Sequence, residues 1–315
     1  MARGQYVRAA RELAVAARAG DPRAQYDLGM AYRDGLGVPA DAVQAYRWIR
    51  RAAEKDVPEA QYEVGQMEEE GEGTETNVTD AAQWYRKAAE AGYVPAMFAL
   101  GELYRTGEGV PKDEAEALHW YRPAAQKNDI DSQLALADLY RQGLSGPKNP
   151  AEATVWLLKA AQLGSPEGRY QLALLLLNED ASHPVGHSPS RASVEAMQWM
   201  QAAADQGYAA AQFYLGEAHL NGVNASLDPP SAVRFLQLSA DQGYAEALHS
   251  LGRLYLGGQI VPQDQPRAFM YFDLAVRLGD PTAAGEREEM SHTLPANQQQ
   301  LAKRRAQEWL QARGL

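Results

Sequence analysis

The chain of 315 residues contains no cysteine. Without a thiol there is no disulfide frame, no thiolate metal site and no cysteine nucleophile, and the redox character of the compartment leaves no mark. Long apolar runs are also missing. The longest, Leu172–Leu177, falls far short of the roughly 18 residues that argue for a membrane-spanning helix. The opening Met1-Ala2-Arg3-Gly4-Gln5-Tyr6 has no apolar stretch of the kind a secretory signal carries, which leaves the compartment undetermined. There is no basic excess: 30 Lys and Arg stand against 41 Asp and Glu, a net charge of −11. Neutralising phosphates needs the opposite balance, so general nucleic-acid binding is not expected. No Pro/Ser/Gly-rich linker separates two halves, and 45% hydrophobic with 23% charged residues is the composition of a folded, continuous body.

The negative charge that is present is concentrated. Residues 61–120 hold thirteen acidic and four basic side chains, net −9, so most of the excess lies in one fifth of the chain.

A period then governs nearly everything. Trp48-x-x-x-Ala52-Ala53 returns at Trp84, Trp120, Trp156 and Trp199, and the ring persists at Phe235 and Tyr271. The steps are 36 residues, except one of 43 between Trp156 and Trp199. Each unit also carries a small residue followed four places later by an apolar one and then Gly or Ala: Ala24 with Leu28-Gly29, Ala60 with Val64-Gly65, Ala96 with Leu100-Gly101, Ser132 with Leu136-Ala137, Gly168 with Leu172-Ala173, Ala211 with Leu215-Gly216, Ala247 with Leu251-Gly252. That spacing puts both on one helical face and defines a first helix, A. Helix A is expected to end at Gly35, Gly71, Gly107 and Gly143, with Gly186 seven residues late in the fifth unit. Asp41, Asn77, Asp113, Asn149, Asp228 and Asp264 read as N-caps of a second helix, B, with Ser193 taking the cap after Ala192 in unit five. Pro22, Pro58, Pro166 and Pro281 mark starts of helix A. Each unit is a helix hairpin of about 36 residues.

The pattern from Ala96 through Leu100-Gly101, Tyr104, Gly107, Gly109, Val110, Asp113, Ala117, Trp120 and Ala124-Ala125 resembles the Sel-1-like repeat, a relative of the tetratricopeptide repeat. Seven units are expected: 21–56, 57–92, 93–128, 129–164, 165–207, 208–243 and 244–279, preceded by an N-terminal helix in 1–20 and followed by capping helices in 280–315. Tyr6–Gly20 looks like a lone helix B. Thr282–Met290 looks like a last helix A, and Pro295–Gln311 like a closing helix whose Leu301 and Trp309 could cover the open core. The fold class expected is all-α, a right-handed α-α superhelix in one solenoid. The resemblance implies that helix A lines its concave surface, and that members are commonly bacterial adaptors working in the cytoplasm or periplasm.

Within helix A the second column after the small residue is Tyr26, Tyr62, Phe98, Leu134, Tyr170, Phe213 and His249, read as core. Columns three, six and ten places after the small residue share one stripe and have no common character, which is where recognition is expected on a repeated scaffold. From that stripe come the candidate partner-binding residues Glu63, Gln66, Glu70, Glu102, Asp138, Leu174, Tyr214, Glu217 and Arg253. The run Glu68-Glu69-Glu70-Gly71-Glu72, in which Glu68 replaces the usual helix-A tyrosine, is either a patch for a basic protein or a solvated helix end. Leu174 to Leu177 fall partly on the same stripe. Either a lengthened turn within Asn178–Val185 folds over them, or they form an apolar patch for a partner.

No catalytic, cofactor or metal site is expected. His183 and His187 are four apart, but Pro184 and Gly186 between them forbid the helix that would aim both rings at one metal. Ser145 and Lys148 match S-x-x-K, the nucleophile motif of penicillin-recognising enzymes, without the companion S-D-N and K-T-G motifs. The leading expectation is a non-enzymatic scaffold that holds a protein partner, one with a basic surface. The alternative is an immunity protein that occludes the active site of a toxic secreted effector, a role known in the family, and a penicillin-handling hydrolase stands third.

Overall fold

In the computed structural model, which describes residues 2–144, 146–182 and 191–315, the described residues form α-helices and one short 3-10 turn, with no strand. The chain divides into two compact units, residues 1–160 and 161–315. The first contains α1 (Ala2–Ala19), α2 (Pro22–Asp34), α3 (Ala42–Ala53), α4 (Pro58–Glu70), α5 (Val78–Glu90), α6 (Val94–Thr106), α7 (Glu114–Gln126), α8 (Ile130–Gln142) and most of α9 (Pro150–Gln162). The second contains α10 (Pro166–Ser182), α11 (Arg191–Asp205), α12 (Ala209–Asn221), α13 (Pro229–Ala240), α14 (Ala245–Gly257), α15 (Gln265–Arg277), the 3-10 turn Pro281–Ala283, α16 (Ala284–Thr293) and α17 (Ala296–Arg313). Even-numbered α2 to α14 are the A helices, and α2, α4, α6, α10, α12 and α14 each pack with the odd-numbered B helix that follows. This is an all-α repeat fold.

Local chemistry sets the helix ends. Asp41, Asn77, Asp113, Asp228 and Asp264 accept hydrogen bonds from free amides in the first turns of α3, α5, α7, α13 and α15. Asn149 does the same for α9 through the Glu152 amide at 3.2 Å. The A helices α2, α4, α6, α8, α12 and α14 stop at a glycine in the left-handed region, from Gly35 to Gly258.

The hairpins close on a pairing twenty residues apart that the tryptophan column hides. A Cβ added to Gly65 would lie 2.5 Å from the Tyr85 ring, one at Gly101 2.5 Å from Tyr121, and one at Gly252 2.6 Å from Phe272. Where helix A carries a glycine, the residue after the tryptophan-column ring therefore sits directly on it, and Tyr85, Tyr121 and Phe272 are almost fully buried. Burial of such side chains contributes roughly 1.5–3 kcal/mol each. Trp48, Trp84 and Trp199 remain half-buried.

Neighbouring repeats are tied by a second column. The amides of Gln25, Gln61, Gln133 and Gln212 each donate to a carbonyl eight residues earlier, at the end of the preceding B helix: Ala17, Ala53, Ala125 and Ala204, at 3.0 to 3.2 Å. Arg169 makes the corresponding bond to Ala161 at 3.2 Å.

Several expectations are corrected. Ser193 is not the cap of α11, which begins at Arg191 and carries Ser193 buried in its first turn. The extra residues of the fifth unit do not simply lengthen a turn, because α10 runs 17 residues where other A helices run 13. At the C-terminal end Leu301 is 45% exposed and stands outside the core cluster; Ala302, Ala306 and Leu310 make the buried seam of α17, with Trp309 partly buried beside them. Gly186, His183 and His187, the end of the Asn178–Val185 stretch, and Ser145 of S-x-x-K lie outside the described residues.

Candidate interaction face

The second column of helix A, read as core, is half-buried and does a more specific job. At three positions it packs on a tyrosine that precedes the next A helix. Tyr62 meets Tyr93 at a centroid distance of 5.4 Å, Tyr170 meets Tyr208 at 5.3 Å, and Phe213 meets Tyr244 at 5.3 Å. Where that preceding residue is Asp280, the column residue is His249, whose Nδ1 lies 2.9 Å from the carboxylate. These junction rings were not picked out by sequence reasoning, although Gly92-Tyr93, Gly207-Tyr208 and Gly243-Tyr244 repeat a visible dipeptide at the repeat spacing.

Beside this ladder lie the stripe residues, and the first unit sorts them into tied and free groups. Glu63 on α4 is only 13% exposed at its side chain and pairs with Arg33 of α2 at 2.6 Å. Arg33 also holds Glu72 at 2.8 Å. Burial pushes the Glu63 carboxyl above its ordinary value despite that arginine. Glu102 on α6 bonds Arg105 at 2.5 Å and accepts from the buried Tyr121 hydroxyl. Burial alone would raise Glu102, but Arg105 and Tyr121 outweigh it and hold the carboxyl below the usual range. Asp138 on α8 pairs with Arg141 at 2.6 Å. Gln66 is half-buried on α4. Glu70, the last residue of α4, is exposed and makes no ion pair or hydrogen bond, and Asp34 holds the equivalent place on α2 in the same state.

The acidic run 68–72 fits neither of its two simple readings throughout. Glu68 is 5% exposed and accepts from the Tyr46 hydroxyl at 2.7 Å, which in turn accepts from Arg50 at 2.8 Å. In the next two repeats an arginine at the place of Arg50 donates directly to the helix-A tyrosine: Arg86 to Tyr104, and Arg122 to Tyr140 at 2.6 Å. Repeat two has moved the phenol from helix A to the preceding B helix, and Glu68 fills the vacated place. Glu69 accepts from Tyr85 at 2.6 Å. Three carboxylates of the run, Glu68, Glu69 and Glu72, are thus internal ties, and Glu70 is left to solvent.

In the second unit Leu174, Leu176 and Leu177 are half-buried and pack against the core cluster of Ala173, Ala196, Met200 and Leu215. They form no large exposed patch. Tyr214 is half-buried and accepts from the Asn224 amide at 2.9 Å. Glu217 accepts from Ser250 at 2.7 Å and from Asn221 at 3.2 Å. Arg253 is exposed on α14. The face therefore presents phenols, carboxylates and amides suited to reversible polar contact. Among the described residues no group of three or more His, Asp or Glu is arranged to hold a metal ion. No described helix is long and apolar enough to cross a membrane.

Comparison with known proteins agrees with this geometry. The Sel1 repeat model matches seven consecutive stretches, 22–57, 58–93, 94–129, 130–165, 166–208, 209–244 and 245–280. The crystal structure of a Sel1 repeat protein from Oxalobacter formigenes is similar at 28% identity and a TM-score of 0.67, covering 80% of this chain and 96% of that one. A protective antigen of uropathogenic Escherichia coli with an SLR fold shares 29% identity over 97% of this chain and 80% of its own, at a TM-score of 0.44. An immunity protein from Pseudomonas aeruginosa shares 26% over 71% and 83%, also at 0.44. No curated protein matches the chain.

Proposed function

This chain belongs to the Sel1 repeat family, and we propose that it is a non-enzymatic scaffold holding a protein partner on the helix-A face of its repeats, with α2 and α4 engaging a basic region of that partner. The observation that carries the reading is the contrast within the acidic face. Glu63, Glu72 and Glu102 are neutralised by arginines of the chain itself, whereas Asp34 and Glu70 stand exposed and unpaired at one column of adjacent repeats. A fixed array of free carboxylates beside a ladder of half-buried rings attracts a cationic protein surface and gives it apolar contact. Gln66, Glu102 and Asp138 border that surface, and Leu174, Tyr214, Glu217 and Arg253 are its proposed counterparts in the second unit.

The test compares the intact chain with D34K/E70K in affinity capture from native extract. Both substituted positions are exposed, so helicity stays unchanged. The partner is retained by the intact chain, elutes at elevated salt and is lost by the variant. A partner held equally by both contradicts the acidic-face reading. The identity of the retained protein decides the narrower role: a toxic effector places the chain among immunity proteins that occlude an active site, and a regulatory or export component places it among adaptors. A penicillin hydrolase would show turnover abolished by S145A, and the scaffold reading predicts no turnover.

A further inference from the structure

The first repeat already shows how this face seats an arginine. Arg23, second residue of α2, places its guanidinium carbon 5.1 Å from the Tyr26 ring centroid. Its nitrogens pair with Asp27 at 3.2 Å and with Glu59 at 3.6 Å. Glu59 is the second residue of α4, so ring and carboxylate come from successive A helices.

The sixth repeat keeps the ring and the carboxylate of the following A helix but lacks the cation, and Tyr214 stands where Asp27 does. Phe213 occupies the place of Tyr26 on α12, Glu246 occupies that of Glu59 as second residue of α14, and the place of Arg23 is taken by Ala210. Tyr208 and Tyr244, which precede α12 and α14, add rings on either side, each 5.3 Å from the ring it stacks on. A second carboxylate, Glu167, is the second residue of α10, the same register position in the preceding repeat. Burial first, and then Glu167, pushes the Tyr208 phenol up; burial and then Glu246 push Tyr244 up to about 12. Among the described residues neither carboxylate pairs with a cation. Glu246 is exposed without an ion pair, and Glu167 accepts from the neutral Gln171 amide at 2.8 Å. Among the described residues no lysine or arginine stands over Tyr170, Tyr208, Phe213 or Tyr244, although cations cover rings elsewhere in the chain, as Lys159 covers Trp156 and Arg313 covers Trp309.

We infer that the sixth repeat binds an arginine side chain of a partner protein, seated beside Ala210 among the Tyr208, Phe213 and Tyr244 rings and the Glu167 and Glu246 carboxylates, in the place that Arg23 fills in the first repeat. The inference rests on the scaffold reading above and names the group that a partner offers to the second unit. Arginine fits better than lysine because a planar guanidinium stacks on a ring while its edge pairs with a carboxylate, whereas an ammonium is a strongly hydrated point charge.

The experiment titrates a labelled peptide of alternating glycine and arginine, and its lysine counterpart, against the intact chain by fluorescence anisotropy. The arginine peptide binds roughly fivefold or more tightly than the lysine peptide. A210R supplies the missing guanidinium from within and weakens arginine-peptide binding by about fivefold or more. E246Q, a neutral change at an exposed position that leaves the fold intact, weakens it in the same direction. D34K/E70K leaves the preference for arginine over lysine in place. Equal affinity for the two peptides, or arginine-peptide binding untouched by both A210R and E246Q, overturns the inference. Loss of partner capture in D34K/E70K alongside either of those results would leave the scaffold standing and remove only the arginine seat. Retained capture in D34K/E70K together with loss in A210R and E246Q would support the seat and move the principal contact to the second unit.

Discussion

At the residue scale, the fold turns on what a glycine allows. Where helix A carries a glycine, the opposing B-helix residue is large: a ring at Gly65, Gly101 and Gly252 (Tyr85, Tyr121 and Phe272), and Ile49 or Leu236 at Gly29 and Gly216. Where it carries Ala137 or Ala173, the residue at the matching place is Leu157 or Met200. The small-residue column was legible in the sequence as a site of close helix approach. Its partner column was not, because it reads Ile49, Tyr85, Tyr121, Leu157, Met200, Leu236 and Phe272 and shares only bulk, not a residue type. G65A should cost about 1–3 kcal/mol through overpacking against Tyr85, and adding Y85L should recover much of it, giving a clear coupling energy in a urea-unfolding double-mutant cycle. Simple additivity of the two changes would contradict the proposed fit. Charge is arranged with equal specificity. Glu102 is held below its ordinary value of 4.5 by Arg105 and Tyr121 against the effect of burial. As pH falls the unfolded chain therefore takes up that proton first, so the stability Glu102 contributes is complete above the ordinary carboxylate range and is lost as pH falls through its folded-state value. Glu63, raised by burial, has the opposite sign, its contribution fading as pH rises from 4.5 towards its folded-state value. Unfolding midpoints followed from pH 7 to pH 3 should fall less steeply for E102Q than for the parent chain and more steeply for E63Q.

At the element scale, helix ends were the most legible feature, because caps are local chemistry written in one or two residues. Aspartates and asparagines at 41, 77, 113, 149, 228 and 264 all cap as their positions dictate. The Asp113 side chain accepts from both the Ala115 and Glu116 amides, so D113A should lower stability by about 1 kcal/mol. D113N should retain most of it, and equal stability of parent and D113A would show that the cap contributes nothing. The failures have a shared physical reason. Ser193 and Leu301 were assigned from residue type, but the register of a helix follows its buried face. In α11 that face is Ser193, Ala196, Met200, Ala203 and Ala204, and in α17 it is Ala302, Ala306 and Leu310. The extra helical length of α10 likewise runs against its local sequence, since the helix continues through Asn178, Asp180 and Ser182, residue types that favour caps and turns.

At the scale of the whole molecule, a period of 36 residues made the fold class readable while leaving the partner-facing chemistry half hidden. Sequence showed that residues 61–120 are acidic. It could not show that Arg33 neutralises Glu63 and Glu72, because those pairs depend on how neighbouring helices and turns meet, whereas Glu102 and Arg105 stand three apart on α6 and their pairing was readable from spacing. On the proposed reading, the free carboxylates at Asp34 and Glu70 and the uncovered rings of the sixth repeat are what the folded chain offers to another protein. The central claim is that the helix-A face is where a partner sits. Hydrogen exchange measured by mass spectrometry on the chain alone and with its captured partner tests it most directly. The account predicts slowed exchange in peptides from α2, α4, α12 and α14 and at the junctions before α12 and α14, with α3, α5, α13 and α15 unchanged. Protection confined to the B helices would contradict it.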